Sequence, residues 1–173
     1  MRVFIYILIL FNILYSKVTF SKLEEAEEKF LAKMESQSPI EKNRLILKKD
    51  QLKKVQIPMG HNYKKRIYSY WKSENQSIWI LNSIGKYKPI TAAFVVEECK
   101  IKTANVLIYR EQHGYEIKYE AFLSQFVGVD IDNKYDLTKN IDNISGATLS
   151  VNSMDRMARA ALMLDDIVNE NQC

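Results

Sequence analysis

Ile67-Tyr68-Ser69-Tyr70-Trp71, then Ser73-Glu74-Asn75-Gln76, then Ser77-Ile78-Trp79-Ile80-Leu81 set the period at the centre of the chain. Two aromatic and β-branched runs flank a short polar stretch, the pattern of a β-hairpin. Asn82-Ser83-Ile84-Gly85 supplies the next turn. Pro89 to Val96 follows as a strand with apolar residues on both faces toward its end, Glu97-Glu98 turns it, and Ile101 to Arg110 is a fourth strand of Val, Leu, Ile and Tyr. Connections this short leave no room for the crossovers of a parallel sheet. The stretch predicts an antiparallel meander.

Upstream, the period is helical. Leu23, Ala26, Phe30 and Met34 recur at three- and four-residue steps, with Glu24, Glu25, Glu27 and Glu28 between them, so Lys22 to Met34 reads as an amphipathic helix. Ser38-Pro39-Ile40-Glu41 has the form of a helix start, with a capping hydroxyl, proline at the first helical position and Glu three residues after the cap. It predicts a second helix to about Lys54, with Leu45, Leu52 and Val55 on one side, ended by Pro58 and Gly60. His61 to Arg66 reads as a basic loop. With His113 as the only other histidine, a histidine-rich metal site is excluded.

Downstream, Glu111-Gln112-His113-Gly114-Tyr115-Glu116 is a polar turn. Tyr119 to Phe126 reads as a short helix or irregular segment with Phe122, Leu123 and Phe126 inward, and Asp130 to Asn140 as a surface connection. Met154, Met157, Ala158, Ala161, Leu164 and Val168 place a long amphipathic helix over Val151 to about Glu170, with Asn152 and Asp155 offering its cap. These methionines read as core filler. The predicted class is α+β: an antiparallel β-sheet meander packed with N-terminal helices and a C-terminal helix. The expected organisation is residues 1–21 as a leader, 22–60 as an N-terminal helical segment, and 61–173 as the main domain.

The chain has 173 residues, 47% hydrophobic and 27% charged, enough for one domain with a real core. Its formal charge of +4 is spread along the sequence, which with no recognisable module argues against nucleic acid. Met1-Arg2, the apolar run Val3 to Tyr15 and the small residues around Thr19-Phe20-Ser21 have the layout of a secretory signal peptide. The run is short for a membrane span, which needs ~20 residues. An uncleaved anchor formed by residues 3–15 is the alternative. Both place the folded part outside the cytoplasm, periplasmic or secreted. Cys99 and Cys173 suit that compartment without establishing a framework, and the terminal place of Cys173 makes their pairing the lesser reading.

The candidate site is Asp142-Asn143-Ile144-Ser145-Gly146-Ala147-Thr148-Leu149-Ser150. Gly146 allows close approach of a ligand, Ser145, Thr148 and Ser150 supply hydroxyls, and the following helix presents unpaired N–H groups and its positive dipole end. A phosphate suits such a loop. A plain serine–threonine turn before a helix is the alternative these residues leave open.

Asp142 followed by Ser145-Gly146-Ala147-Thr148 and Leu149-Ser150 resembles the flavinylation motif of the FMN-binding domain family, found in subunits of the sodium-pumping NADH:quinone reductase and of Rnf complexes. Ile108-Tyr109-Arg110-Glu111, Gly114-Tyr115-Glu116-Ile117 and Phe122 to Gly128 are also similar to single-domain members, so the resemblance covers about residues 85–165. It implies FMN held covalently as a phosphoester of Thr148, with Ser150 as the fallback acceptor. A flavin transferase would install it from FAD with magnesium. Asp142 would serve recognition by that transferase, Ser145, Gly146 and Ala147 would wrap the phosphate, and Leu149 would be among the cofactor-binding residues. The turn of Glu111, Gly114 and Tyr115 would lie near the ring, although Gln112-His113-Gly114 stands where many members have Thr-Pro-Gly. Asn143 replaces a frequent glycine, and asparagine tolerates the same left-handed backbone. The implied role is electron transfer with a membrane redox complex or another electron-transfer protein as partner, the domain being more a carrier than a stand-alone enzyme. The alternatives are a small reductase using His113 or Tyr115 as proton donor, and a non-redox module that has lost the flavin.

Overall fold

The computed structural model describes residues 22–170 and Cys173. The leader expected at 1–21 therefore lies outside the described residues. Five strands form one sheet in the order β1-β2-β3-β4-β5: β1 Glu41–Ile46, β2 Ile67–Lys72, β3 Gln76–Ile84, β4 Pro89–Glu97 and β5 Lys100–Ile108. Every neighbouring pair is antiparallel. Helix α1 covers residues 22–35, α2 runs over Lys49–Met59, α3 over Glu120–Leu123 and α4 over Thr148–Val168. The predicted α+β meander is the observed architecture.

The N-terminal part departs from expectation. Residues 41–46 form β1, paired from Glu41↔Lys72 to Ile46↔Ile67, where the sequence predicted a helix from Ser38. The local capping signal loses because this segment completes hydrogen bonds along the free edge of β2, a tertiary gain that helix propensity does not weigh. The segment 22–60 is thus not wholly helical. The second helix begins instead at Lys49, where the Gln51 side chain accepts the Lys48 N–H at 2.8 Å. It extends to Met59, with Pro58 inside its last turn.

Strand alternation sorts the two faces of the sheet. Trp79, Leu81, Ile90, Ala92, Phe94 and Val96 join one core with Met154, Met157, Ala158 and Ala161 of α4, and Val55 of α2 enters the same core. Ile78, Ala93 and Val95 are buried on the opposite face. There Phe30 and Met34 of α1 line a groove with Val95 and its β5 partner Thr103. Two-sided cover explains why Ile90 to Val96 is buried without interruption. Phe122 and Phe126 are buried in edge-to-face contact and Leu123 packs beside the core, as the inward assignment of these residues required.

The far end of α4 is fixed twice. Asp165, only 3% exposed, accepts a hydrogen bond of 2.5 Å from the Ser77 hydroxyl of β3, and Trp79 Nε1 donates to that same hydroxyl at 2.7 Å. Burial pushes the Asp165 carboxyl above its ordinary value, against the lowering by Ser77 and Asn169. Beyond it, Cys173 is bonded to Cys99, in the β4–β5 turn, with Cα atoms 5.5 Å apart. The pairing that the sequence left as the lesser reading is therefore formed. Among the described residues, no helix is long and apolar enough to cross a membrane.

The bridge closes a loop of 74 residues. Replacing both cysteines by alanine is expected to lower the unfolding free energy by about 2–4 kcal/mol. Denaturant titration checks this, and equal stability of the double variant would show that the bridge does not constrain the unfolded chain.

Candidate functional site

An antiparallel sheet sends alternate connections to the same end. The β3–β4 turn and the segment leaving β5 lie together at one end, and the N-terminus of α4 arrives beside them. Between them is a cavity of about 410 Å³, lined by Lys86, Tyr87 and Lys88 of the turn, by Glu111, Gln112 and His113 after β5, and by Gly146, Ala147, Thr148, Leu149 and Ser150. That volume lies in the usual range of small-molecule pockets, about 300–1,000 Å³.

Helix α4 begins at Thr148, three residues before the start predicted at Val151. The N–H groups of Ser150 and Val151 both donate to the Ala147 carbonyl, at 2.8 and 3.0 Å, which closes the first turn there. Asn152 is consequently an exposed residue inside the helix, and Asp155 pairs with Arg159 at 3.7 Å instead of completing a cap. Thr148 and Ser150 therefore stand in the first helical turn, with Ser145 before it. Among the described residues, the N–H groups of Thr148 and Leu149 have no protein acceptor, as expected of the first donors of a helix.

The three hydroxyls have different surroundings. Ser150 is 4% exposed, and its Oγ lies 3.0 Å from the Tyr109 hydroxyl. Tyr109 in turn donates to the His113 carbonyl, so Ser150 is the donor to Tyr109. Burial raises the Tyr109 phenol above its ordinary value; the Ser150 bond lowers it, while Glu111 and Glu116 raise it further. Thr148 is exposed on the cavity wall, and its Oγ1 accepts from Asn143 Nδ2 at 3.0 Å. Ser145 is exposed and outside the cavity lining.

Small residues are required where the two loops meet. Gly114 has φ +85°, and a Cβ there would stand 2.7 Å from the Ala147 Cβ and 2.9 Å from the Tyr109 hydroxyl. Ala147, itself buried, packs against that bare backbone. Gly146 is different: φ is +78° and nothing lies within 4 Å of its Cβ direction, so its backbone conformation disfavours other residues while space beside it stays open.

Glu111 fixes the facing wall. Its Oε1 accepts the N–H groups of Tyr87 at 2.6 Å and Lys88 at 2.9 Å. Desolvation opposes ionisation, yet the backbone N–H groups of Lys88, Tyr87 and Lys86 together hold the carboxyl below its ordinary value. Gly85 leaves room for this latch, since a Cβ there would stand 2.8 Å from Oε1.

Of the predicted site residues, the cavity thus gathers Glu111, Gly146, Ala147, Thr148, Leu149 and Ser150. Gly114 acts from behind Ala147. Tyr115 is exposed, with the Lys118 ammonium 4.4 Å from its ring centroid, and lies outside the lining. Asp142 is exposed outside it, its N–H donating to Gln125 Oε1 at 2.7 Å. Asn143 does not adopt the left-handed backbone considered for it. Its Oδ1 instead accepts the following Ile144 N–H at 2.9 Å. The sequence reading missed Lys86, Tyr87 and Lys88. The strict meander was the available signal, because it places the β3–β4 turn at the same end as the exit from β5.

The lining suits a phosphate ester. It combines two unpaired helix N–H groups, two lysines and a glycine with open space beside it, while Tyr87 and Leu149, exposed by 75% and 46%, offer apolar surface.

Glu111→Ala is expected to lower stability by about 1 kcal/mol at neutral pH. Because the folded carboxyl pKa is depressed, its contribution is present above the unfolded value and is lost as pH falls through the folded one. Denaturation of both proteins across acid pH should show the difference vanish; a constant difference would contradict the latch. Gly114→Ala is expected to cost about 1–3 kcal/mol from strain and overlap, which thermal unfolding measures.

Residues 85–163 match the family model of the FMN-binding domain, a range that contains the whole cavity lining. No curated protein matches the chain.

Proposed function

We propose that this chain, whose residues 85–163 belong to the FMN-binding domain family, carries FMN covalently through the Thr148 hydroxyl and serves as an extracytoplasmic electron carrier. The observation that carries the attachment reading is the contrast between hydroxyls: Thr148 is exposed on the cavity wall, while Ser150 is buried and engaged by Tyr109.

FMN as the cofactor follows from the family, and when bound it supplies one- and two-electron chemistry. The chain's own residues supply its seat. The Thr148 and Leu149 N–H groups and the Gly146 backbone would hold phosphate oxygens, Lys86 and Lys88 would offset the negative charge, and Tyr87 and Leu149 would shield apolar parts. The Glu111 latch and the Gly114–Ala147 contact would keep the walls in place around it.

The extracytoplasmic assignment draws on the leader-like segment of residues 1–21 and on the Cys99–Cys173 bridge, which suits an oxidising compartment. Covalent attachment also fits a place where lost cofactor is not readily replaced. A flavin transferase is the partner required for maturation, and a membrane redox complex or another electron-transfer protein is the partner for function. No dinucleotide-binding glycine fingerprint or CxxC pair occurs in the sequence to suggest a separate substrate reaction.

Co-expression with a flavin transferase in a bacterial periplasm, followed by intact mass measurement, tests this reading. The expected product gains one FMN less one water, and its fluorescence survives a denaturing gel. Thr148→Ala should abolish the gain and Ser150→Ala should retain it. Unmodified wild-type protein, or flavin on Thr148→Ala, would contradict the assignment.

A further inference from the structure

We infer that Asn143 positions the Thr148 hydroxyl for flavin attachment and stabilises the charge that develops on its oxygen. The inference rests on the attachment reading above and concerns a residue that departs from the glycine frequent at this place in the resembling motif.

Asn143 is held at both ends of its amide. Oδ1 accepts the Ile144 N–H at 2.9 Å, and Nδ2 donates to Thr148 Oγ1 at 3.0 Å. The first bond fixes the orientation of the second. Rotating the amide by half a turn would set its NH₂ group against the Ile144 N–H, two donors facing one another. Nδ2 therefore points at Thr148. The turn between them is closed independently by the Ala147 N–H donating to the Ile144 carbonyl at 2.9 Å.

This arrangement has a chemical consequence. Nδ2 can only donate, so Thr148 Oγ1 acts as acceptor toward it and directs its own proton elsewhere. In the attachment step, Oγ1 forms a bond to the phosphorus of the FMN half of FAD. The anhydride bond to the AMP phosphate breaks, AMP leaves with that electron pair, and the hydroxyl proton passes to a base supplied by the transferase. Negative charge grows on Oγ1 as the proton leaves. A donor already aimed at that oxygen stabilises it without reorganisation, and the N-terminus of α4 adds its dipole in the same sense. Neither competing hydroxyl has such a donor. Ser150 faces Tyr109, and Ser145 has no side-chain hydrogen bond among the described residues.

Two substitutions separate this role from a merely structural one. Asn143→Asp keeps the shape and the acceptor for the Ile144 N–H but removes the donor to Oγ1. Asn143→Ala removes both bonds. Purified, unmodified full chain is incubated with the transferase, FAD and magnesium, and flavin incorporation is followed by gel fluorescence and intact mass, with thermal unfolding measured alongside. Both variants are expected to lower kcat for incorporation about tenfold, the worth of one hydrogen bond at the reacting oxygen, with KM for the chain and the unfolding midpoint nearly unchanged. Undiminished kcat in Asn143→Asp, or a loss confined to Asn143→Ala, would overturn the inference, since only the bond to the Ile144 N–H would then matter. Wild-type chain that takes no flavin would instead refute the attachment reading, and this inference with it.

Discussion

The structure depends on α4 lying across β3 and β4 with its small and sulfur-containing face buried. Met154, Met157, Ala158 and Ala161 are wholly inaccessible against Trp79, Phe94 and their neighbours. Burial of a single methionine-sized side chain is worth about 1.5–3 kcal/mol, so this contact contributes substantially to the stability of the domain. Its geometric effect matters more for the site. A helix of 21 residues is roughly 30 Å long, so one packing interaction sets the position of both ends. The C-terminal end meets Ser77 and the Cys99 bridge, and the N-terminal end meets the loops that leave β3 and β5.

Local contacts then refine the N-terminal end. Ser153 donates to the Ile84 carbonyl at 2.6 Å, and Arg156 donates to the same carbonyl at 2.9 Å, tying the helix to the last residue of β3. Glu111 grips the turn that follows from the other side. The wall bearing Lys86 and Lys88 is therefore fixed by one anchor on α4 and another beyond β5. Ala147 against Gly114 sets the closest approach of the two loops. The Ser-Gly-Ala-Thr run thus combines separate requirements: a left-handed backbone at Gly146, minimal volume at Ala147 and an accessible hydroxyl at Thr148.

Much of this was legible in the sequence. Period-two runs joined by short turns gave β2 to β5, because hairpin connections leave little choice of topology. The long helical stripe from Met154 gave α4 and its buried face. The failures lie where distant parts of the chain decide. β1 carries a respectable helix-start signal, and only the unpaired edge of β2 makes it a strand. The start of α4 was placed late because Asn152 and Asp155 looked like a cap, whereas the Ala147 carbonyl receives the first helical bonds. Lys86, Tyr87 and Lys88 stand some sixty residues before Thr148 and carry no motif, so only the assembled sheet brings them to the cavity. The disulfide likewise depends on the helix end meeting the β4–β5 turn.

Residues 85–163 match the family model of the FMN-binding domain, and the cavity within them, with the exposed Thr148 hydroxyl on its wall, is the seat proposed here for a flavin phosphate. Fragment-ion mass spectrometry of the tryptic peptide Asn140 to Arg156 from flavin-loaded protein tests that account most directly, because this peptide contains Ser145, Thr148, Ser150 and Ser153 together. The account predicts the added mass on Thr148 alone. Added mass on Ser145 or Ser150, or none anywhere in the peptide, would contradict it.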